Sequence, residues 1–102
     1  MMIRHIVMFK LRLFHLADDK KNAAETVRNE LLALKKKISV ISEFEVGINF
    51  NPDPAAYDLI INSTFASRED LKTYQDHPDH KAFILFNKNY SDKKVVLDYE
   101  YS

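Results

Sequence analysis

The first thirteen residues alternate between apolar and polar positions, as in a β-strand with one face in a core. One parity carries Ile3, His5, Val7, Phe9, Leu11 and Leu13. Period-2 alternation with β-branched and aromatic residues predicts a strand over roughly residues 2–13. The opposite parity is also apolar in its middle, at Ile6 and Met8. This strand therefore has an apolar patch on each of its two faces.

The hydrophobic spacing changes to three and four residues between positions 18 and 37, which predicts an amphipathic helix. Its apolar stripe is Ala24, Val27, Leu31, Leu34 and Ile38. Asp18 and Asp19 stand at its start and three lysines, 35–37, at its end, so each charge lies where the helix dipole favours it. The lysine run is interpreted as a solvated helix end.

Period 2 returns in two further segments. The first has Phe44, Val46, Ile48 and Phe50 on one parity; the second, over 57–65, has Tyr57, Leu59, Ile61, Ser63 and Phe65 on one parity and Ile60 on the other. The segment 51–54, Asn-Pro-Asp-Pro, predicts a turn between these strands.

The remaining residues predict two helical pieces and a last strand. Ser67 is a candidate N-cap with acidic residues after it, and the helix that follows carries Leu71 and Tyr74 inward and stops before Pro78. A new helix begins at Pro78 and runs to about residue 89. A strand over roughly 94–101 alternates Val95, Leu97, Tyr99 and Tyr101 against Val96, Asp98 and Glu100.

The element order is β-α-β-β-α-β, which predicts an α+β, ferredoxin-like fold with a four-stranded antiparallel sheet. In this topology the first and third strands are central. We expect the face without helices to be apolar at Ile6, Met8 and Ile60, and polar at Glu43, Glu45, Asp98 and Glu100. An apolar patch on this open face needs a cover, and a second copy of the same sheet supplies one. We therefore expect a homodimer through the open face.

Composition limits the classes of function. The chain has 102 residues, enough for a single domain over 1–102, with 15 basic and 15 acidic residues and no cysteine. The balanced charge gives no reason to expect nucleic acid as a partner, and no apolar run is long enough to span a membrane. A single glycine excludes a Gly-rich phosphate loop. We therefore expect a cytoplasmic protein that uses no cofactor.

The candidate chemistry is concentrated in His5 and the segment 74–80, Tyr-Gln-Asp-His-Pro-Asp-His. His5 lies on the apolar parity of the first strand and should point toward the helices, where its ring nitrogens need partners. Pro78 makes His77 the N-cap of the last helix and places His80 in the first turn, where the helix dipole disfavours the imidazolium form. His15 falls in the turn after the first strand and is assigned no role.

Two interpretations of these residues stay open. In one, His5, Tyr74 and His80 converge on a pocket between sheet and helices, lined by Phe9, Leu59, Ile61, His77 and Phe83. In the other, His5 and Tyr74 are core residues, His77 caps a helix and His80 is a surface residue. A metal site at His77 and His80, spaced i, i+3, is disfavoured because no motif supplies further ligands, so no metal is expected.

The segments 3–11, 64–65 and 74–80, with the sequences IRHIVMFKL, TF and YQDHPDH, together resemble the stress-responsive A/B barrel (Dabb) domain family over nearly the whole chain. The resemblance implies a ferredoxin-like protomer and a dimeric α+β barrel. Many members of the family have no assigned activity, and some are linked to stress responses. The related antibiotic-biosynthesis monooxygenases share the barrel, but their motifs fit this chain less well.

One plant member of the family is a polyketide cyclase that catalyses an intramolecular aldol condensation. The resemblance implies that Tyr74 and His80 match its catalytic tyrosine and histidine, and that His5 matches a histidine lining its site. The chain departs from that enzyme at Leu59, where the cyclase has another pocket histidine, so the same substrate is not expected.

Three hypotheses of function follow. The first is a Dabb protein of unassigned activity that binds a small apolar or aromatic molecule in the pocket. The second is a cofactor-independent enzyme of carbonyl chemistry, an aldol cyclase, lyase or isomerase, with His80 as general base and Tyr74 as hydrogen-bond donor to an oxyanion. The third is an interaction module without a ligand.

Overall fold

The computed structural model describes residues 1–14 and 16–102, so the predicted turn position of His15 lies outside the described residues. The elements in chain order are β1 (Met2–Leu11), α1 (Ala17–Lys37), β2 (Ile41–Ile48), β3 (Leu59–Phe65), α2 (Arg68–Asp76), α3 (Pro78–Asn87) and β4 (Ser91–Tyr101). The four strands form one sheet in the order β2-β3-β1-β4, with every neighbouring pair antiparallel. The ferredoxin-like prediction, with β1 and β3 central, is confirmed.

The core lies between one face of the sheet and the helices. The odd-numbered positions of β1 and β3 supply its sheet side, from Ile3 and Val7 to Ile61 and Phe65, all at most 6 % exposed. The predicted stripe of α1 supplies much of its helical side, and Val27 and Leu31 are fully buried. Each buried branched or aromatic side chain contributes about 1.5–3 kcal/mol to folding, so this layer stabilises the positions of the strands that carry the histidines.

Three strand ends differ from their predicted positions. β1 ends at Leu11 rather than at residue 13. β2 ends at Ile48, and Phe50, which shares its parity, lies outside the strand and is 98 % exposed. β4 begins at Ser91, three residues earlier than predicted, because it continues to pair with β1 beyond Val95.

The predicted facing of β4 is wrong. Asp98 is in register with His5 and Glu100 with Ile3, so both carboxylates lie on the side of the helices. The open face of β4 instead carries its apolar parity: Val95, Leu97, Tyr99 and Tyr101. The prediction placed the polar parity of β4, Asp98 and Glu100, on the face without helices. The helices do not reach over β4, which is exposed along almost its whole length, so its apolar parity is free to face the open side.

This correction enlarges the apolar patch on the open face. Met8, Val95, Leu97 and Tyr99 are all more than a third exposed, and they adjoin Ile6. The open-face side of β2 is polar at Glu43 and Glu45, as predicted. The face thus has an apolar half over β1 and β4 and an acidic rim along β2. No helix in the described residues is long and apolar enough to cross a membrane.

Asp58, at the start of β3, is a buried carboxylate that joins three elements. It is 5 % exposed, and its Oδ2 accepts the backbone N–H of Leu11 at 2.7 Å. Its Oδ1 is 2.9 Å from Lys20 Nζ on α1, and its own N–H donates to the carbonyl of Phe9 at 2.8 Å. The end of β1 and the first turn of α1 are therefore fixed against β3 by one side chain.

We predict that Asp58→Ala lowers the free energy of unfolding by about 2–3 kcal/mol, because it leaves the buried N–H of Leu11 without its charged acceptor. Lys20→Ala is the matched control. Its side chain is 52 % exposed, and its removal should cost less than about 1 kcal/mol. Urea unfolding measures both values; equal losses would show that the ion pair, rather than the bond to Leu11, holds this junction.

Candidate functional site

The junction of α2 and α3 sets the position of the site, and both helix starts follow from their capping residues. Ser67 Oγ accepts the N–H of Asp70 at 3.1 Å, so the predicted N-cap of α2 is confirmed. His77 has an extended backbone and caps α3, with its Nδ1 accepting the N–H of Asp79 at 3.1 Å. Pro78 is the first residue of α3, and the break places the last turn of α2 beside the first turn of α3.

A cavity of about 310 Å³ lies between the sheet and these two helices. This volume is at the lower end of the range for small-molecule sites, about 300–1,000 Å³. Its interior is mainly apolar, with Val7, Phe9, Ile61, Phe83, Ile84 and Val96 among its walls. Its polar groups include His5, Tyr74 and His80, the three side chains predicted to converge.

Tyr74 lies at the centre of this polar group. Its ring centroid is 4.4 Å from that of His80 and 6.1 Å, edge-on, from that of His5. The residue is 1 % exposed, and burial raises the pKa of its phenol well above the ordinary 10.0, so it is protonated at neutral pH. Within the described part of the chain its hydroxyl makes no hydrogen bond, although Tyr74 lines the cavity. A buried donor is thus available to a ligand.

His80 is held in one tautomer. Its Nδ1 lies 3.1 Å from the carbonyl oxygen of Gln75, and because a carbonyl only accepts, Nδ1 carries the proton. Nε2 of the neutral ring is then an acceptor. Burial is the main cause that lowers the pKa of His80 from 6.5; the bond to Gln75 opposes it in part, and weaker electrostatic effects of His5, Lys94 and His77 add to the lowering. The predicted neutral His80 agrees with this shift, but burial rather than the helix dipole is its main cause.

His5 is paired with a carboxylate that the sequence analysis placed on the wrong face. Its Nδ1 hydrogen-bonds Asp98 Oδ1 from β4, directly across the strand pair. A carboxylate on Nδ1 fixes that atom as the donor, so Nε2 is again the acceptor when the ring is neutral. His5 is 5 % exposed, whereas the Asp98 side chain is 39 % exposed, and the pair therefore connects the cavity wall to the surface of β4.

The structure separates the predicted lining residues into two groups. Phe9, Ile61 and Phe83 line the cavity. Leu59 and His77 do not: Leu59 is buried in the core, in register with Phe9 and Ile48, and the side chain of His77 is engaged in capping α3. Leu59 points into the same layer as Phe9. It follows Asp58 and lies at the end of the sheet that is farther from Tyr74.

Sequence reasoning missed the contribution of β4. Val96 and Lys94 line the cavity, and Asp98 orients His5, because these positions share the helix-side parity of β4. One signal was present in the sequence: the polar parity of β4 would face the core histidine if its apolar parity faced a partner. Among the side chains of residues 1–14 and 16–102, no three histidines or carboxylates are grouped to hold a metal ion.

Comparison with known proteins decides the family. The profile of the stress responsive A/B barrel domain matches residues 3–101, nearly the whole chain. The chain belongs to the Dabb family. The segments that carried the resemblance, 3–11 and 74–80, supply His5, Tyr74 and His80, so the family's sequence signature coincides with the polar side of the cavity.

Similar proteins extend the family in sequence and structure. An uncharacterised protein of Streptomyces coelicolor is 33% identical over 100 residues, covering 98% of this chain and all of the relative. A dimeric protein of unknown function and ferredoxin-like fold from Bacteroides fragilis is 34% identical, with a TM-score of 0.85 over 98% of this chain and 96% of its own. Hydroxynitrile lyase from Passiflora edulis shares the fold at 20% identity, with a TM-score of 0.77 over 96% and 91% of the two chains.

Proposed function

We propose that this Dabb protein is a homodimer that binds a small, largely apolar molecule in the cavity, with a polar acceptor of the ligand bound by the hydroxyl of Tyr74. The observation that carries the binding function is the buried phenol, 1 % exposed, which lines an apolar cavity and has no hydrogen-bond partner in the described chain. The hydroxyl is not among the fully buried unpartnered atoms of the described chain, so it faces the cavity, where an acceptor on a ligand would replace water at a net gain of about 0.5–1.5 kcal/mol.

The dimer part of the proposal is supported by the open face of the sheet. Its apolar half, formed by Ile6, Met8, Val95, Leu97 and Tyr99, is contiguous across β1 and β4. The Bacteroides fragilis protein of the same fold, at 34% identity, is itself dimeric. Arg4 lies in the same face, where its Nη1 donates to Asn62 Oδ1 at 3.0 Å and its guanidinium is 4.6 Å from the ring centroid of Tyr101, so it does not leave an unpartnered charge within the apolar half.

Ligand binding is tested with 4-phenyl-2-butanone, an aromatic ketone small enough for the cavity, by ligand-observed NMR or calorimetry. We expect Tyr74→Phe to weaken its binding about five- to tenfold, the effect of one hydrogen bond, while leaving the fold intact. Tyr90→Phe is the matched control, because Tyr90 is half-buried outside the cavity.

A second variant fills the cavity instead of altering its chemistry. Val96 is 50 % exposed and lines the cavity from β4, so Val96→Trp adds volume there without disturbing the core. We expect this variant to abolish binding of the ketone at an unchanged unfolding temperature. Binding that survives Val96→Trp would place the ligand elsewhere and remove the proposed site.

A second candidate function is favoured by the contact between Tyr74 and His80. A neutral imidazole with a free Nε2, next to a protonated phenol, can remove a proton from a hydroxyl and stabilise the resulting negative charge on a carbonyl oxygen. That pairing serves the cleavage or formation of a C–C bond next to a carbonyl without a cofactor. Hydroxynitrile cleavage, the reaction class named for the Passiflora edulis protein of the same fold, shares its first element, removal of a hydroxyl proton as a C–C bond breaks, although there the electron pair leaves on cyanide.

A further inference from the structure

The mouth of the cavity is more positive than the chain as a whole. Lys88 and Lys94 line it with a single carboxylate, Asp92, whereas the full sequence has equal numbers of acidic and basic residues; Lys93 also borders it, but its side chain, in register with Lys10, leaves β4 on the open face. Within the described residues, none of these three lysines forms an ion pair. The excess of positive charge is therefore local to this opening and is not neutralised by the protein.

Lys94 is the lysine best placed to act on a ligand. It is in register with Phe9, a cavity residue, so its side chain leaves β4 on the side of the helices. It lines the same cavity as His80, and its charge acts with burial to lower the pKa of that histidine. Lys94 thus extends along the cavity wall between the open mouth and the polar end formed by Tyr74 and His80.

The apolar interior of the cavity sets a second condition on the chemistry of the ligand. Between the lysines and the polar end, the walls are aromatic and aliphatic, with Phe9, Phe83, Ile84 and Val96 in contact with the space. A small hydrophilic anion would leave these side chains in contact with water, whereas an apolar body would cover them. The volume of about 310 Å³ limits that body to one ring or a short chain with its substituents.

We propose that the ligand of this site is an apolar carboxylic acid, bound as its anion, with the carboxylate held at the mouth by Lys94 and the apolar body in the cavity. The proposal rests on the ligand-binding function above and adds a second polar group to the ligand: Tyr74 binds a neutral oxygen at the inner end, and Lys94 binds the carboxylate at the mouth. Lys94 is the specificity-determining residue, and Lys88 adds to the positive potential at the mouth.

The test compares 4-phenylbutyrate with its neutral amide, which has the same carbon skeleton, by calorimetry at neutral pH. We expect the acid to bind more tightly than the amide, with an advantage that decreases as ionic strength rises from about 0.02 M to about 0.3 M. Lys94→Gln should weaken binding of the acid about two- to fivefold and leave the amide unaffected. Lys36→Gln, an exposed lysine near the end of α1, is the matched control and should change neither.

Two further measurements separate the outcomes. The pKa of His80, followed by NMR, should rise in Lys94→Gln and stay constant in Lys36→Gln, which shows directly that Lys94 lies at the site. Inorganic phosphate should not displace 4-phenylbutyrate at equal concentration. Equal binding of acid and amide, an equal effect of Lys94→Gln on both, or displacement by phosphate overturns the carboxylate inference alone. Failure of both compounds to bind overturns it together with the ligand-binding function.

Discussion

A charge at position 97 is expected to prevent the proposed homodimer from forming. Leu97 is 61 % exposed in the protomer and lies in the apolar half of the open face, beside Ile6 on β1. Leu97→Glu leaves the core untouched, but two-fold pairing would bury two copies of the carboxylate in one interface. An unpaired charge in such a position costs about 3 kcal/mol or more, so the dimer should weaken at least about 100-fold.

Leu85→Glu is the matched control. Leu85 is 66 % exposed, on α3, and lies on neither the open face nor the cavity wall. Size exclusion coupled to light scattering at micromolar concentration should give a dimer for the unsubstituted chain and for Leu85→Glu, and a monomer for Leu97→Glu. A monomeric unsubstituted chain, or a dimeric Leu97→Glu variant, contradicts pairing through the open face.

For the second candidate function, carbonyl chemistry, the largest loss of rate is expected when the His80 side chain is removed. The probe is 4-hydroxy-4-phenyl-2-butanone. His80 Nε2 would take the hydroxyl proton, the bond between the hydroxyl-bearing carbon and its CH₂ neighbour would break, and benzaldehyde would form. The remaining enolate, hydrogen-bonded by Tyr74, would be protonated by the His80 imidazolium to give acetone. A general base contributes about 100- to 10,000-fold, so His80→Ala should lower kcat by that factor.

His77→Asn serves as the control, because asparagine retains an N-cap for α3 and residue 77 does not line the cavity. Release of benzaldehyde is followed by its ultraviolet absorbance. Cleavage that is unchanged in His80→Ala would remove the proposed base, and cleavage that is absent in the unsubstituted chain would leave binding alone as the function of the cavity.

The pH dependence of that reaction follows from the environment of His80. Burial lowers its pKa below 6.5, and only the neutral ring accepts a proton, so kcat should rise with pH below 6.5 and be constant at neutral pH. A rate that instead rises through a pKa above 7 would point to another base.

The same shift means that the unfolded chain binds this proton more tightly than the folded one, and the contribution of His80 to stability should therefore become unfavourable as pH falls below 6.5.

The sequence predicts the elements and the central position of β1 and β3, because a residue buried between sheet and helices leaves a clear period of two or of three to four. The capping positions Ser67 and His77 were predictable for a similar reason, since each precedes a segment whose start the chain marks with Asp or Pro. Convergence of Tyr74 and His80 follows from the break at Pro78, which brings two successive helix ends together.

The facing of β4 was not predictable from alternation. Alternation gives two parities but not which one meets the helices, and the rule that the apolar parity faces the core fails for an edge strand that no helix covers. For this reason the sequence did not predict that Asp98 and Lys94 belong to the site. Their positions depend on pairing with residues of β1 that are about ninety positions away in the chain. The position of Leu59 outside the cavity was not predictable either, because parity fixes the face of a strand residue but not its distance from a helix end.

β4 has the cavity on one side and the open face of the sheet on the other. Its backbone is held by β1 alone, and its successive side chains alternate between the cavity and the open face. A molecule in the cavity and a second copy on the open face would therefore act on the same eleven residues from opposite sides. Under the proposed function, contact from either side would hold this strand in place, so we expect occupancy of the cavity and association of the chains to favour each other.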